Sequence, residues 1–203
     1  MKKKNIIHFI FLIFLVVGTI YVIRNHQTNK LQHSEGNIFG TVFSIEYEYK
    51  TALDSAILEK LNEVDSSLSM FNKQSIVSKI NSGESDSTDL MFRNVFRLAQ
   101  NVAEDTDGAY DITVAPLVNA WGFGFKKGHF PDSLMVDSLL DITGYTKVSL
   151  SAEGKIVKQD PRIMLTCSAV AKGYAVDIVA QLLEKKGIQN YMVDIGGEVV
   201  VHG

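Results

Sequence analysis

The run Ile38-Phe39-Gly40-Thr41-Val42-Phe43-Ser44-Ile45-Glu46-Tyr47-Glu48-Tyr49 alternates, with Phe39, Thr41, Phe43, Ile45, Tyr47 and Tyr49 on one side and Ser44, Glu46 and Glu48 on the other. A period of two predicts a half-buried strand. Directly after it the period changes. Leu53, Ile57, Leu61, Val64 and Leu68 recur every three or four residues, the stripe of an amphipathic helix. A second stripe, Met91, Val95, Leu98 and Val102, follows Thr88 and Asp89, which suit a helix N-cap. Residues 145–150, 155–158 and 163–166 read as short strands divided by turn residues such as Ala152-Glu153-Gly154. Residues 169–186 read as a third helix stopped by Gly187. Residues 191–195 and 198–202 flank Gly196-Gly197, a hairpin signal. The order strand, helix, helix, strands, helix, hairpin lacks a regular β-α-β-α alternation. It predicts an α+β domain with helices packed on a largely antiparallel sheet.

Upstream of this domain the composition shifts. Residues 6–23 are apolar except for His8, Gly18 and Thr19, and would reach about 27 Å as a helix, near the hydrocarbon thickness of a bilayer. Lys2, Lys3 and Lys4 precede the run and should stay in the cytoplasm, which sends the rest of the chain across the inner membrane. No small-residue cleavage site follows between Val16 and His26, so residues 1–24 read as an uncleaved membrane anchor in preference to a cleaved signal. The polar residues 25–37 read as a tether, and the domain as 38–203. Residues 1–24 carry four cations and no acid, which leaves the remainder at −7 when the whole 203-residue chain stands at −3. An acidic body is a poor candidate for sequence-independent nucleic-acid binding. A lone cysteine excludes an internal disulfide framework.

The sequence holds no P-loop, no G-x-G-x-x-G after a strand, no H-E-x-x-H and no C-x-x-C. Its five histidines, at 8, 26, 33, 129 and 202, are scattered, which turns attention to oxygen ligands and glycine-rich turns. Four segments combine small residues, aromatics and isolated charges. Phe39-Gly40-Thr41 opens the first strand, where a glycine admits close approach of a ligand, although a plain strand start reads equally from residue types. From Val64 to Ser75, hydroxyls interrupt the helix and Phe71 follows, either to cover a flat ligand or to pack in the core. From Asp107 to Gly124, acids, glycines, Tyr110 and the only tryptophan crowd together, as either a slot for a heterocycle or a loop pinned by Trp121. From Thr166 to Asp177, small residues open a helix whose N–H groups suit an anion, with Lys172 in the first turn; a solvated lysine is the alternative. Cys167 has no histidine near it in sequence and reads as a small buried residue.

These segments, in this order, resemble the ApbE family, the FAD:protein FMN transferases. Phe39-Gly40-Thr41 looks like the family's Met-Gly-Thr start, and Val64-Asp65 through Ser69, Phe71 and Ser75 like its V-D-x-x-x-S-x-[YF]-x-x-x-S element. Thr106, Gly108, Ala109, Tyr110, Asp111, Thr113, Pro116, Leu117 and Trp121 to Gly124 match its long T-x-G-A-[FY]-D tryptophan signature, the most specific of the set. Residues 171–177 resemble its A-K-G-[YF]-A-x-D helix start and Gly196-Gly197-Glu198 its G-G-[DE] hairpin. The resemblance spans 38–203 and implies a T-fold-like α+β domain. It also implies Mg²⁺-dependent cleavage of FAD and transfer of its FMN half to a threonine hydroxyl of a partner flavoprotein, leaving AMP. By position, Phe39, Phe71, Ala109, Tyr110 and Asp111 would line the flavin nucleotide, Lys172 would lie near it, and the Ala169 carbonyl would face the metal. No residue is assigned a catalytic role.

Three departures stand out: Thr166 replaces the family's aspartate beside the nucleotide, Phe39 replaces methionine, and the family's C-terminal metal ligands have no counterpart. The chain also ends on an apolar strand with nothing after it to blunt an edge, and is expected to be cut short. Two other functions fit the same residues: an FAD pyrophosphatase that uses water as acceptor, and a non-catalytic flavin-binding protein.

Overall fold

In the computed structural model, which describes residues 3–25, 29–123 and 130–203, the alternating run forms strand β2 (Thr41–Tyr49), with Phe43, Ile45 and Tyr47 buried. Ahead of it lies β1 (Lys30–Ile38), antiparallel to β2 from Lys30 opposite Tyr49 to Ile38 opposite Thr41. Most of the segment expected as a tether is therefore an edge strand. Its polar residues concealed it, because an edge strand needs one backbone ladder and no apolar face. Only Ser34 is buried there, donating to Asp54 Oδ1 at 2.6 Å.

Phe39 and Gly40 are the two-residue turn of this hairpin and not the opening of a strand. Their φ values, +54° and +73°, are both positive, as a type I′ turn requires. Glycine adopts this backbone freely, whereas a residue with a Cβ pays roughly 1–2 kcal/mol.

The expected C-terminal hairpin forms as β5 (Tyr191–Ile195) and β6 (Glu198–His202), joined at Gly196-Gly197. The sheet runs β1-β2-β5-β6, antiparallel throughout. Its core face carries Phe43, Ile45, Tyr47, Val193 and Ile195, which share one hydrophobic cluster with residues of several helices, two of them foremost. Helix α2 (Asp54–Leu68) contributes Ile57, Leu61, Val64 and Leu68, the stripe its spacing predicts. Helix α7 (Ala171–Lys185) contributes Ala175, Val176, Val179, Ala180 and Leu183, and ends where Gly187 N–H returns to Glu184 O and Ile188 N–H to Leu183 O.

Helix α4 (Leu90–Asp105) forms where expected, capped by Asp89, which accepts from Phe92 N–H at 2.7 Å. Its buried face is Phe92, Val95, Phe96, Ala99 and Ala103, whereas Leu98 and Val102 of the predicted stripe are exposed. Both stripes pass through Val95. The helix turns toward the one that holds two phenylalanines, which bury more area than a leucine and a valine.

Three helices were not legible in sequence: α3 (Ile76–Ser82), α5 (Ala115–Ala120) and α6 (Ser133–Leu140). At about two turns, apolar spacing carries no readable period. Residues 145–147 form a 3₁₀ turn before β3 (Val148–Leu150), which pairs with β4 (Ile156–Lys158) in a separate two-stranded sheet. Residues 163–166, expected as a strand, belong to no strand and are held by a side chain. Asn81 donates to Leu165 O at 2.8 Å and accepts Leu165 N–H at 2.7 Å, replacing a neighbouring strand.

At the N-terminus, α1 (Lys3–Asn25) is a continuous helix whose large apolar side chains from Phe9 to Val22 are exposed. Among the described residues no helix is long and apolar enough to cross a membrane. The described side chains of α1 run only from His8 to Val22, so the expected transmembrane helix gains no support from them.

Candidate functional site

The serines after Val64 do not break α2, which continues through Ser66 and Ser67 to Leu68. They build the loop that follows. Ser75 Oγ donates to Ser69 O at 2.6 Å and accepts Ser78 N–H, capping α3, while Ser78 Oγ donates to Met70 O at 3.1 Å. Asn72 Nδ2 reaches back to Asp65 Oδ2 at 2.7 Å. The loop stapled this way presents Phe71 at 63 % exposure, which removes the core-packing alternative for that ring.

The third segment begins at the C-terminus of α4. Asp107 and Gly108 have φ +51° and +79°, and their N–H groups bond Glu104 O and Ala103 O, the reciprocal pattern that closes a helix on a left-handed residue. This turn leads into Ala109, Tyr110 and Asp111. The Asp111 carboxylate ties the segment together: Oδ1 accepts Thr113 N–H at 2.7 Å and the Thr113 hydroxyl at 2.6 Å, and Oδ2 accepts Tyr145 N–H at 2.8 Å. Thr113 Oγ1 in turn accepts Gly144 N–H at 2.7 Å. The Tyr110 hydroxyl is buried with no hydrogen-bond partner among the described residues, and burial, with Cys167 and Asp111 nearby, pushes its pKa up to about 12. Trp121 is 46 % exposed, set edge-on to Phe130 at 5.8 Å, and so does not pin its loop to the core. Gly124, the last residue of the tryptophan signature, and His129 lie outside the described residues.

The fourth segment is tied to the third, since Thr166 N–H donates to Ile112 O at 2.8 Å. Thr166 is buried and its hydroxyl meets Ser168 Oγ at 3.2 Å. Cys167 is fully buried, as its sequence surroundings predict, and burial pushes its pKa up to about 12. Ala169 is an exposed residue, and its carbonyl oxygen accepts no backbone N–H among the described residues. Lys172, in the first turn of α7, donates to Gly196 O at 2.9 Å and lies 3.4 Å from Glu198 Oε1. Its company is therefore the hairpin turn, which brings the fourth segment against the Gly-Gly-Glu motif. Gly196 also admits the close approach of β2, because a Cβ there would stand 2.7 Å from Thr41 Cγ2.

A cavity of about 580 Å³ opens where these pieces meet. Phe39, Gly40, Asp65, Phe71, Ser168 and Lys172 are among its lining residues. Of the residues singled out in sequence, Phe39, Phe71 and Lys172 share this cavity, whereas Ala109, Tyr110, Asp111, Thr166 and Ala169 lie outside its lining. Asp65, Asn72 and Ser168 join it without having been singled out, although they stand inside the motifs quoted above. An apolar wall with one cation, Lys172, one carboxylate, Asp65, already paired with Asn72, and a few hydroxyl groups suits a ligand with a flat face and an anionic group that meets the lysine. Among the described residues no group of three or more histidine, cysteine or acidic side chains could hold a metal. The Ala169 carbonyl is the kind of hard oxygen ligand that a magnesium-type cation takes.

The ApbE family model matches residues 39–203. An FAD:protein FMN transferase of Vibrio cholerae is 36% identical over 185 residues, covering 84% of this chain and 54% of that protein. One from Escherichia coli K12 is 31% identical, covering 83% and 52%. The chain thus spans about half the length of these curated relatives. Among solved structures, the flavin transferase ApbE of Vibrio cholerae superposes with a TM-score of 0.80 at 32% identity, covering 86% of this chain and 60% of that one. The apo flavinyl transferase ApbE of Pseudomonas stutzeri gives 0.80 at 28%, covering 87% and 62%.

Proposed function

Because this chain belongs to the ApbE family, we propose that it serves Mg²⁺-dependent transfer of FMN from FAD to a threonine hydroxyl of a target flavoprotein, with release of AMP. The observation that carries this reading is the shared cavity, in which Phe39 and Phe71 offer apolar rings and Lys172 the one cation. The rings would take the isoalloxazine, and Lys172 with the hydroxyl-rich start of α7 would take the phosphate side. Tyr110 lies outside the cavity lining, and its buried hydroxyl, without a hydrogen-bond partner among the described residues, would be met only by a ligand group that reaches past that lining.

Transfer would join the threonine oxygen to the FMN phosphorus and break the bond from that phosphorus to the bridging oxygen, which leaves with AMP; the hydroxyl proton is lost to solvent or a base. Charge neutralisation and positioning carry most of such a reaction. Mg²⁺, when bound, would neutralise phosphate charge, with the Ala169 carbonyl among its ligands. Asp111 enters this reading as the residue that shapes the third segment. On the strength of residues 6–23 and the lysines before them, the site would lie outside the cytoplasmic membrane, anchored by a single N-terminal span.

Incubation of the chain with FAD, Mg²⁺ and a threonine-containing acceptor domain tests the reading. Covalent flavin fluorescence on the acceptor, with AMP released, is the expected result. AMP and free FMN without acceptor labelling would mean hydrolysis, and FAD binding with no AMP would mean a non-catalytic flavin protein.

A further inference from the structure

Lys172 occupies the first turn of α7, a turn without any acidic residue. The positive end of a helix disfavours an ammonium there by a few tenths of a kcal/mol. Two acceptors offset this, the Gly196 carbonyl at 2.9 Å and the Glu198 carboxylate at 3.4 Å, both from the β5–β6 hairpin. They differ in kind. The carbonyl belongs to a turn fixed by Gly196 N–H to Val42 O at 3.0 Å, whereas the carboxylate is 51 % exposed, longer in its contact, and free to swing into water. Lys172 lines the cavity and Glu198 does not. An anion that enters the cavity therefore meets an ammonium already partly neutralised by a carboxylate outside the lining, in a cavity whose lining also holds the Asp65 carboxylate.

We propose that Glu198 is a displaceable internal counter-ion of Lys172: it holds the ammonium in place while the cavity is empty and yields it when a phosphate-bearing ligand arrives. This rests on the reading that a flavin nucleotide enters the cavity. Glu198 is thus a positioning residue that sets the affinity of the site for anions through Lys172. Its carboxylate lowers affinity because binding must give up an ion pair that stabilises the empty site, and the Gly196 carbonyl keeps the side chain aimed when the carboxylate leaves.

Titration of the whole chain with FAD, ADP and riboflavin, followed by calorimetry or flavin fluorescence, tests this. Glu198→Gln keeps the size of a half-exposed side chain and should fold with an unchanged thermal midpoint. It should tighten FAD and ADP roughly two- to fivefold, the value of a partly exposed ion pair, and leave riboflavin, which has no phosphate, unaffected. Lys172→Met should weaken FAD and ADP and abolish the effect of Glu198→Gln in the double variant. If FAD binds and Lys172→Met weakens it, but Glu198→Gln brings no gain, the counter-ion proposal fails and the placement of the nucleotide stands. If the wild-type chain binds no FAD, or binds it indifferently to Lys172→Met, the placement falls and the proposal with it.

Discussion

Asp111 is the residue at which a ligand-binding role and a structural role predict different numbers. Its carboxylate accepts three hydrogen bonds at 2.6–2.8 Å, from the Thr113 hydroxyl and from the Thr113 and Tyr145 N–H groups. Bonds to a charged acceptor contribute about 1.5–3 kcal/mol each, and buried donors left unmet cost about as much. Thr113 is fully buried. Asp111 itself is only half-buried, so the lower end of that range applies, and its hydroxyl partner can re-aim. Two unmet N–H groups then put Asp111→Ala at about 3–4 kcal/mol, a fall of roughly 6–16 °C in thermal midpoint for a chain of this size. Asp111→Asn separates the donors: its amide oxygen can still accept from Thr113, but its NH₂ would face Tyr145 N–H, and about half the loss should remain. Urea unfolding monitored by circular dichroism gives both values. Both variants within about 0.5 kcal/mol of wild type, with FAD affinity sharply reduced, would refute the structural account and return the carboxylate to the ligand.

The Phe39 ring packs against the core, so the turn is read by comparing two variants that both lose it: Phe39→Asn should be more stable than Phe39→Ala by about 1 kcal/mol, since asparagine tolerates the +54° φ, and equal stability in urea would contradict the turn assignment. Asn81→Ala removes both bonds to Leu165 and should cost about 2–4 kcal/mol, with faster amide exchange at Leu165 as the local signature. Cys167 should resist thiol reagents at neutral pH until the protein unfolds. Its folded pKa of about 12 lies above the ordinary 9.0, so its contribution to stability is complete below pH 9 and is lost as pH rises toward 12. Cys167→Ala should flatten the alkaline part of the unfolding profile, and an unchanged slope would show that the thiol does not titrate with unfolding.

Where an element is long and one face is buried, the order of residues alone determined it. β2, α2, α7 and the β5–β6 hairpin follow from periods of two and of three or four, and from Gly187 and Gly196-Gly197, because burial of one face repeats at the period of the backbone. The same logic failed at α4, where two overlapping stripes were available and only packing could choose the one with Phe92 and Phe96. It failed at β1, whose stability comes from a ladder of backbone bonds that no side-chain pattern records.

The motifs named the residues of the site but not their partners. Only the tertiary structure decided that Phe39 sits in a turn and not a strand, that Phe71 is held outward by Ser75 and Ser78, and that the Asp111 carboxylate ties Thr113 to Tyr145. Lys172 shows the physical reason. In sequence it is a cation at a helix start that calls for an anionic ligand, yet its first anion is Glu198, 26 residues along the chain and 3.4 Å away. Hydrogen bonds and ion pairs act over a few ångströms, and which groups come within that reach is fixed by how the helices and sheet share one core.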